Sequence, residues 1–460
     1  MMNSLYYKSP IFVQNILITL YGYYWKNRRF GKGFQKELTY WKERESYSHD
    51  EWINYQTKEL QKLLIHAFDT VPYYHKLYIK EGFKREDFVN FSLKDLKSLP
   101  YLEKDDFRKF GKTELLSRSR KRGQFYASSG STGKPISVFM SKEFQRKWNA
   151  AYESRVRNWA GVDYKMSRGM IGGRKILKDS SAKPPYHRYN HAERQTYFSA
   201  YHISEENVLA YAKAFNEHKI DYMVGYAMSN YFLADLLVKK GITVPKLKAI
   251  LTSSEKLTKE MRDTFQKAYG CQTFDAYSGV EACGLISQDI YGDFLFSPDS
   301  GIMEVVNENG VDVKNGEIGE IVATGLLNYD QPLIRYKIGD KVEISKDQTT
   351  KSGKQMLKID QIWGRVEDIL QSSDGKKIVR FHSIFLDING LIAGQIVQES
   401  LLKIRLNLVV DNAYEKSSEL VFRERVQNLL GDSVQVNICY LESIPKNNNG
   451  KFQSVISNLR

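Results

Sequence analysis

The chain has 460 residues, a formal net charge of +14 and a hydrophobic content of 42%, which is ordinary for a globular protein. This length exceeds what one small core needs, so two or three domains are expected. The three cysteines form no Cys-x-x-Cys pair, which argues against a structural zinc site and favours a reducing, cytoplasmic setting.

The basic charge is spread along the chain, with only short runs such as residues 118–122. Nucleic-acid binders usually concentrate their charge, and no DNA- or RNA-binding motif accompanies it, so no nucleic-acid partner is predicted. ATP, the tail of CoA, an anionic membrane or solvated lysines alone would each account for a basic surface. The composition leaves these four explanations open.

The first predicted element is residues 11–25, an apolar run that contains Gln14 and Asn15. It is shorter than the roughly 20 residues of a spanning helix, and no small-residue cleavage site follows it, so neither a span nor a signal peptide is predicted. A helix packed on the body of the domain is favoured. The alternative is peripheral contact at the inner face of a membrane, because aromatic residues end the run beside Lys26, Arg28 and Arg29.

Two features follow in chain order. Residues 51–68 carry leucines at helical spacing, which predicts an amphipathic helix. Residues 128–135 read Ser-Ser-Gly-Ser-Thr-Gly-Lys-Pro. Such a loop can turn hydroxyls and backbone N–H groups onto an anion. It differs from a Walker A loop, since Ser128 stands in place of the first glycine and Pro135 follows Lys134.

From about residue 204 to 277 the hydrophobic period alternates between helix and strand. The predicted helices run from an N-cap at Ser204 to Phe215, over 228–239, and from a cap at Thr258 to about Gly270; the predicted strands are 220–224, 247–251 and 272–277. Strands that alternate with helices predict βαβ units and a largely parallel sheet. In such sheets ligands bind at the carboxyl ends of the strands.

A strand-rich part begins near residue 302, and a smaller unit follows residue 363, with predicted strands at 402–410 and 434–441 and a helix at 415–430. The predicted fold class is α/β. A large N-terminal domain of several subdomains, residues 1–363, combines parallel βαβ units with the strand-rich part. A small, mobile α+β domain, residues 364–460, completes the chain.

Five further short motifs lie downstream of the Ser/Gly loop. They are Thr252-Ser253-Ser254-Glu255, Tyr277-Ser278-Gly279-Val280-Glu281, Arg335-Tyr336-Lys337-Ile338-Gly339-Asp340, Gly364-Arg365-Val366-Glu367-Asp368-Ile369 and Pro445-Lys446-Asn447-Asn448-Asn449-Gly450-Lys451. With the Ser/Gly loop, their order and spacing resemble those of the adenylate-forming enzymes, and within that superfamily the phenylacetate–CoA ligase group and its CapK-type members.

The resemblance implies an enzyme that activates a carboxylate with ATP, forms an acyl-adenylate and passes the acyl group to CoA or to a sugar or amine acceptor. The CapK-type resemblance suggests a role in the biosynthesis of a capsule or other surface polysaccharide. It implies roles for residues at the matching positions. The implied ATP- and AMP-binding residues are Ser128, Ser129, Gly130, Ser131, Thr132, Gly133, Lys134, Ser254, Glu255, Tyr277, Asp340 and Arg365. Glu281 would bind Mg²⁺, Lys451 would be catalytic, Glu367 would be the hinge, and Gly225 and Tyr226 would line the acyl pocket.

The chain departs from the family pattern at several positions. Ser278 replaces a glycine, Val280 replaces a serine or threonine, Ile338 replaces a usual threonine, and Glu367 stands in for a hinge aspartate. The loss of a hydroxyl at Val280 keeps open a catalytically degenerate nucleotide-binding protein of the same fold. The basic charge and the N-terminal run keep open a membrane- or nucleic-acid-associated scaffold, which leaves the ordered motifs unexplained.

Overall fold

The computed structural model describes residues 6–127, 136–172, 176–177, 183–200, 202–253, 255, 257–365, 370–371, 377–378, 382–385, 388–445 and 455–459, with the backbone alone at 364, 365, 377, 378, 382 and 383. The chain divides into two compact units, Met1–Ile338 with Val342–Gln361 and Gly339–Lys341 with Ile362–Arg460. The first is a large α/β unit and the second a smaller α+β unit, which confirms the predicted fold class.

The described α-helices are α1 (Ile11–Phe30), α2 (Phe34–Glu43), α3 (His49–Thr70), α4 (Pro72–Lys80), α5 (Lys104–Phe110), α6 (Lys142–Tyr152), α7 (Val208–Glu217), α8 (Ala227–Lys239), α9 (Lys259–Tyr269) and α10 (Ser418–Leu430). Helix α3 coincides with the predicted amphipathic helix and buries its leucines. Helix α9 has the predicted ends, because Thr258 accepts a hydrogen bond from the Met261 N–H and Gly270 follows with φ +65°.

The strands of the large unit are β1 (Gly123–Ala127), β2 (Ser137–Ser141), β3 (Arg168–Gly172), β4 (His187–Asn190), β5 (Gln195–Ser199), β6 (Tyr222–Tyr226), β7 (Ala249–Ser253), β8 (Gln272–Tyr277), β9 (Ile286–Gln288), β10 (Phe294–Phe296), β11 (Gly301–Val306), β12 (Ile318–Gly325), β13 (Tyr336–Ile344) and β14 (Lys358–Arg365). The last twelve form one sheet in the order β11-β12-β13-β14-β10-β9-β8-β7-β6-β3-β5-β4. Strands β5, β3, β6, β7 and β8 are parallel, as the predicted βαβ units require.

Helices cover both faces of the parallel strands. Tyr222 and Met223 are neighbours on β6, so their side chains point to opposite faces. Met223 packs among α7, α8 and α9, whereas Tyr222 packs among α2 and α6. Strand β7 begins with the apolar run Ala249 to Leu251, as expected where both faces of a strand are buried. The cores on the two faces hold the strands so that their carboxyl ends share one edge.

The described part of the small unit contains a two-stranded sheet, a four-stranded sheet and one long helix. Its strands are β15 (Leu370–Gln371), β16 (Lys377–Ile378), β17 (Leu391–Ser400), β18 (Lys403–Val410), β19 (Gln435–Tyr440) and β20 (Val455–Ser457). Strands β15 and β16 form the two-stranded sheet, and the order of the four-stranded sheet is β19-β18-β17-β20, with β17 and β18 antiparallel. Helix α10 buries Phe422, Val426 and Leu430 in the core of this unit. Strands β18 and β19 and helix α10 agree closely with the spans that the sequence predicted, 402–410, 434–441 and 415–430.

Two local predictions were wrong. Helix α7 begins at Val208 with Asn207 in the N-cap position, and Ser204 instead donates its hydroxyl to Glu206 at 2.7 Å in the preceding turn. Strands β6 and β7 lie two residues further along the chain than predicted. Backbone pairing with the neighbouring strands sets where β6 and β7 begin. Tyr222, the first residue of β6, pairs with Arg168 of β3 and with Ala249 of β7.

Helix α1 packs on strand β4 and helix α6, as the favoured prediction required, but it does so with its polar side. Gln14 and Gly22 are its buried residues, while Phe12 and Leu20 are 66% and 61% exposed. No helix among the described residues is long and apolar enough to cross a membrane.

Candidate active site at the carboxyl ends of the parallel strands

Two of the sequence motifs, and the predicted acyl-pocket residues Gly225 and Tyr226, lie at the ends of neighbouring parallel strands. Tyr226 at the end of β6 pairs with Ser253 at the end of β7, and Ser253 pairs with Ala276 near the end of β8. Because the carboxyl ends of parallel strands meet at one edge, Gly225 and Tyr226 lie beside Ser253 and beside the segment 277–281. The structure therefore brings the two proposed acyl-pocket residues to the same edge as Tyr277 and Glu281, which the resemblance assigns to the nucleotide and to Mg²⁺.

Gly225 occupies its position for a steric reason. Its φ is +136°, and an added Cβ atom would lie 1.8 Å from the Ile171 carbonyl oxygen on β3. Only glycine fits where the two backbones approach so closely. The next residue, Tyr226, is half-buried and precedes helix α8, so its side chain leaves the sheet at the point where the helix begins.

The Glu255 carboxylate lies at the N-terminus of helix α8. Its Oε2 atom accepts a hydrogen bond from the Met228 N–H at 2.8 Å. A carboxylate at this point satisfies a backbone donor that has no partner within the helix and favours the positive end of the helix dipole. The loop after β7 is thereby tied to the segment that carries Tyr226.

Tyr277 and Glu281 line one pocket. Tyr277 ends β8 and is half-buried, while Glu281 is 9% exposed and lies so close to Gly279 that a Cβ atom there would be 2.2 Å from its Oε2. The other described residues that line the pocket are mostly apolar: Gly279, Cys283, Gly284, Ile286, Phe296, Met303, Ile321, Ala323 and Ile338. Glu281 is the acidic residue among these, so its carboxylate is the candidate ligand for a hard cation, which takes oxygen ligands.

Asp275 is a buried carboxylic acid that the sequence motifs did not include. It lies on β8 two residues before Tyr277 and accepts hydrogen bonds from Thr252 Oγ1 at 3.0 Å and from the Ala276 N–H. Burial raises its pKa to about 7. The two hydrogen bonds and the positive charge of Arg262 lower the pKa, but they only partly oppose the effect of burial. The signal in the sequence is an acidic residue between the apolar residues Phe274 and Ala276 of a covered strand.

The first residue of the Arg335 to Asp340 motif stabilises the fold through contacts with other parts of the chain. Arg335, with φ +49°, is buried and forms a bidentate ion pair with Glu304 at 2.8 and 3.0 Å. It also donates to the carbonyl oxygen of Lys97 at 2.9 Å, and its guanidinium lies 4.2 Å from the centre of the Tyr101 ring. These contacts fix the start of β13, the strand on which Asp340 lies.

Several predicted site residues lie outside the described residues. They are Ser128, Ser129, Gly130, Ser131, Thr132, Gly133, Lys134, Ser254, Glu367 and Lys451, and Arg365 is described by its backbone alone. The strands on either side of 128–135 are described, and they pair antiparallel with Ala127 opposite Ser137. The roles proposed for these residues stay predictions.

One group of potential metal ligands among the described residues is separate from the strand ends. It comprises His187 on the edge strand β4 and Glu217 and His218 at the end of α7. The two Nε2 atoms of the histidines lie 3.0 Å apart. Burial lowers the pKa of His187 to about 4 and also lowers that of His218, so both rings are neutral at pH 7 and one donates to the other. Mg²⁺ prefers oxygen ligands, so this group differs from the predicted magnesium site.

The chain is similar in sequence to known proteins. Residues 370–458 match the family described as CapK C-terminal domain. The chain is 27% identical over 472 aligned positions to protein CapK of Staphylococcus aureus, with 100% of both chains covered. It is 25% identical over 394 positions to phenylacetate-coenzyme A ligase of Thermus thermophilus, with 82% of this chain and 84% of that protein covered.

The fold is also that of a solved enzyme. A crystal structure of 2-hydroxyisobutyryl-CoA ligase in the postadenylation state superposes with a TM-score of 0.69 at 18% identity, with 90% of this chain and 91% of that chain covered. The chain is thus a homologue of CapK and of the phenylacetate–CoA ligases, and the resemblance seen in its motifs is confirmed.

Proposed function

We propose that this chain is an ATP-dependent carboxylate ligase of the acid–thiol class, which forms an acyl-adenylate with release of pyrophosphate and transfers the acyl group to CoA. The observation that carries the proposal is the buried Glu281 carboxylate, which shares a pocket with Tyr277 at the carboxyl ends of parallel strands. The full-length similarity to CapK and to the phenylacetate–CoA ligases supports the same reaction class.

In the first half-reaction a carboxylate oxygen of the substrate bonds to the α-phosphorus of ATP, and the bond from that phosphorus to pyrophosphate breaks. Negative charge on the phosphoryl oxygens must be stabilised as this happens. Lys134 and Lys451 are the proposed cationic groups, with Ser128 to Gly133 supplying hydroxyls and N–H groups. Glu281 would hold Mg²⁺, which neutralises phosphate charge when bound. Tyr277 would stack on the adenine, and Asp340 would accept hydrogen bonds from the ribose.

In the second half-reaction the acceptor attacks the acyl carbon and AMP leaves. CoA is the proposed acceptor because solved neighbours of this fold are ligases of CoA. A sugar or amine acceptor in a surface polysaccharide pathway is the alternative that the similarity to CapK favours. Rotation of residues 364–460 about Glu367 between the two half-reactions is part of the proposal. The proposed location is the cytoplasm, where ATP and CoA are available and cysteines stay reduced, and the three cysteines form no disulfide.

Carboxylate-dependent exchange between ATP and pyrophosphate tests the first half-reaction. Full-length protein would be assayed with aryl, fatty and amino acids, and we expect exchange with one class. Glu281→Gln should abolish it, while Glu86→Gln, which makes the same change at an exposed carboxylate, should not alter it. Lys451→Ala should lower adenylation about 100-fold or more and leave thioester formation from a supplied acyl-adenylate largely intact.

The absence of exchange with every acid, together with retained ATP binding, would contradict the ligase and favour a catalytically degenerate nucleotide-binding protein. The substitutions Ser278 and Val280 within the Tyr277 to Glu281 motif are the observation that keeps this second function open. Val280→Thr restores the hydroxyl of the family pattern. In an active ligase we expect it to lower KM for ATP, and in a degenerate protein to tighten ATP binding without producing exchange.

A further inference from the structure

The inward side of helix α1 is polar. Three of its side chains accept hydrogen bonds from the edge strand β4 and the turn after it, and these bonds join Gln14 to the Arg188 guanidinium, Asn15 to the Tyr189 N–H at 3.1 Å and Thr19 to the His191 N–H at 3.1 Å. Near its C-terminal end, Lys26 donates to the Ala192 carbonyl at 2.8 Å and Arg29 pairs with the buried Glu193 at 2.7 Å. The helix is therefore held to the body of the protein by hydrogen bonds and an ion pair.

The outward side of the same helix is apolar. Phe12, Ile16, Leu20 and Tyr23 follow one another at intervals of three or four residues, so they share one face, and each is more than half exposed. Leu17, Tyr21 and Tyr24 extend the same face and are 40–52% exposed. A surface helix normally has the reverse arrangement, with its apolar stripe on the core and its polar side in water.

The exposed apolar face of α1 is large enough to be a binding surface. Complete burial of one large apolar side chain contributes about 1.5–3 kcal/mol, and seven such side chains are exposed together on α1. Single exposed apolar residues are normal on any protein, but contiguous patches mark sites of contact with a protein or a membrane. The polar anchoring to β4 also fixes the helix with this face outward, so it does not turn inward when the chain folds.

We propose that the outward face of α1 binds the surface of an anionic membrane, with the helix lying along the surface. Charge selects lipid over a second copy of the chain, because two chains of charge +14 repel each other whereas an anionic membrane attracts one. Exposed Lys8 precedes the helix, and exposed Lys32 and Lys36 follow it. Tyrosines near one end of an apolar face, with lysines beside it, are typical of helices at the interface of a bilayer.

The helix would lie on the bilayer and would not cross it. Its inward side carries Arg29 and Lys26 in contact with the protein body, and no helix of the described residues is apolar enough to span. Binding would hold the enzyme next to substrates at the membrane. This inference does not depend on the proposed ligase reaction, because it rests on α1 and β4 alone.

Vesicle co-sedimentation of the full-length protein tests it. The probes are vesicles of phosphatidylcholine alone and of phosphatidylcholine mixed with phosphatidylglycerol, at low and high salt. We expect binding to the anionic vesicles that weakens with salt, because screening reduces the charge attraction. Ile16→Gln/Leu20→Gln should reduce partitioning at least about 10-fold, since glutamine keeps the helix but removes two apolar contacts.

The matched control is Leu209→Gln/Leu420→Gln, which replaces two exposed leucines on α7 and α10. It should bind vesicles as the unchanged protein does. A second pair on the outward face, Leu17→Gln/Tyr24→Gln, repeats the test if the first variant folds poorly, as judged by circular dichroism. Equal binding by all variants, or no binding to anionic vesicles, would overturn the proposal. A dimer in sedimentation velocity that Ile16→Gln/Leu20→Gln converts to a monomer, without vesicle binding, would assign the face to a second copy instead.

Discussion

Helices α1 and α3 are similar in length, with 20 and 22 residues, but they bury opposite kinds of side chain. Helix α3 buries Leu60, Leu63 and Leu64 and turns its charged residues to water. Helix α1 buries Gln14 and Gly22 and leaves its large apolar residues exposed. The comparison teaches that an amphipathic pattern identifies a helix, whereas the surface on which the helix lies decides which face it buries.

The largest expected effect is a difference in the free energy of unfolding between a leucine substitution on α3 and one on α1. Leu64→Ala on α3 removes a fully buried side chain and leaves a cavity, so the free energy of unfolding should fall by about 3 kcal/mol. Leu20→Ala on α1 removes an exposed side chain and should change it by less than about 0.5 kcal/mol. Urea denaturation of the two variants, followed by circular dichroism, measures both values. Similar losses in the two variants would show that α1 has an apolar contact within the folded chain.

The next effect breaks the polar contact between α1 and β4. A Cβ atom at Gly22 would lie 2.3 Å from Oδ1 of the fully buried Asn190, which also donates to Glu193. Gly22→Ala should therefore cost about 2 kcal/mol through displaced packing. Limited proteolysis should cut the N-terminal segment faster in this variant. Gly82→Ala adds a Cβ atom where nothing lies within 4 Å, but its φ of +87° strains any side chain, so a loss of stability there would come from the backbone and not from packing.

Strand β4, on which α1 packs, carries a histidine, so the free energy of unfolding should depend on pH. The leucines that α3 buries do not titrate. Burial beside His218 and Arg188 lowers the pKa of His187 on β4 to about 4, against about 6.5 in the unfolded chain. Between these values the unfolded state binds more protons, so stability is present above pH 6.5 and is lost as the pH falls towards 4. We expect a loss of about 1–2 kcal/mol between pH 7 and pH 5.

Urea denaturation at a series of pH values measures this loss, and His187→Gln should reduce the slope. Other groups contribute to the total, so the informative quantity is the difference between the two proteins. An identical pH dependence in both would show that His187 does not sense acid in the folded chain.

The smallest effect concerns how the two helices begin. Helix α3 begins with a capping box, in which Ser48 accepts from the Glu51 N–H and the Glu51 carboxylate accepts from the Ser48 N–H. Helix α1 begins after Pro10, which has no side-chain donor or acceptor. Ser48→Ala should lower the free energy of unfolding by about 1 kcal/mol, and Pro10→Ala by less. The same denaturation assay compares them, and equal effects would contradict a stabilising cap on α3.

Much of the fold follows from the sequence because periodicity and capping are local signals. Thr258 and Gly270 set the ends of α9, and the apolar run of β7 shows that both of its faces are covered. The start of α7 was missed because Ser204 followed by acidic residues also suits a turn, in which it bonds Glu206. The face that α1 buries was missed because the partners on β4 are 160 or more residues away in the chain.

The position of the candidate site was predictable where a motif follows a strand. The order of the strand ends brings Tyr226, Ser253 and Tyr277 to one edge, as parallel βαβ units require. Local motifs do not show what each side chain contacts. Glu255 accepts a hydrogen bond at the start of α8, and Arg335 binds Glu304 and the Lys97 carbonyl group. These contacts exist only in the folded chain. Asp275 was missed because its raised pKa comes from burial.

The hydrogen bond between the Met228 N–H and Glu255 has a consequence for redesign of the substrate range. It joins the segment proposed to line the acyl pocket to Glu255 in the motif proposed to bind the nucleotide, so we expect a displacement of one to displace the other. Enlarging the pocket at Tyr226 would then disturb nucleotide recognition as well. Variants selected for a new acid should regain their affinity for ATP through second changes near Glu255 rather than near the acid itself.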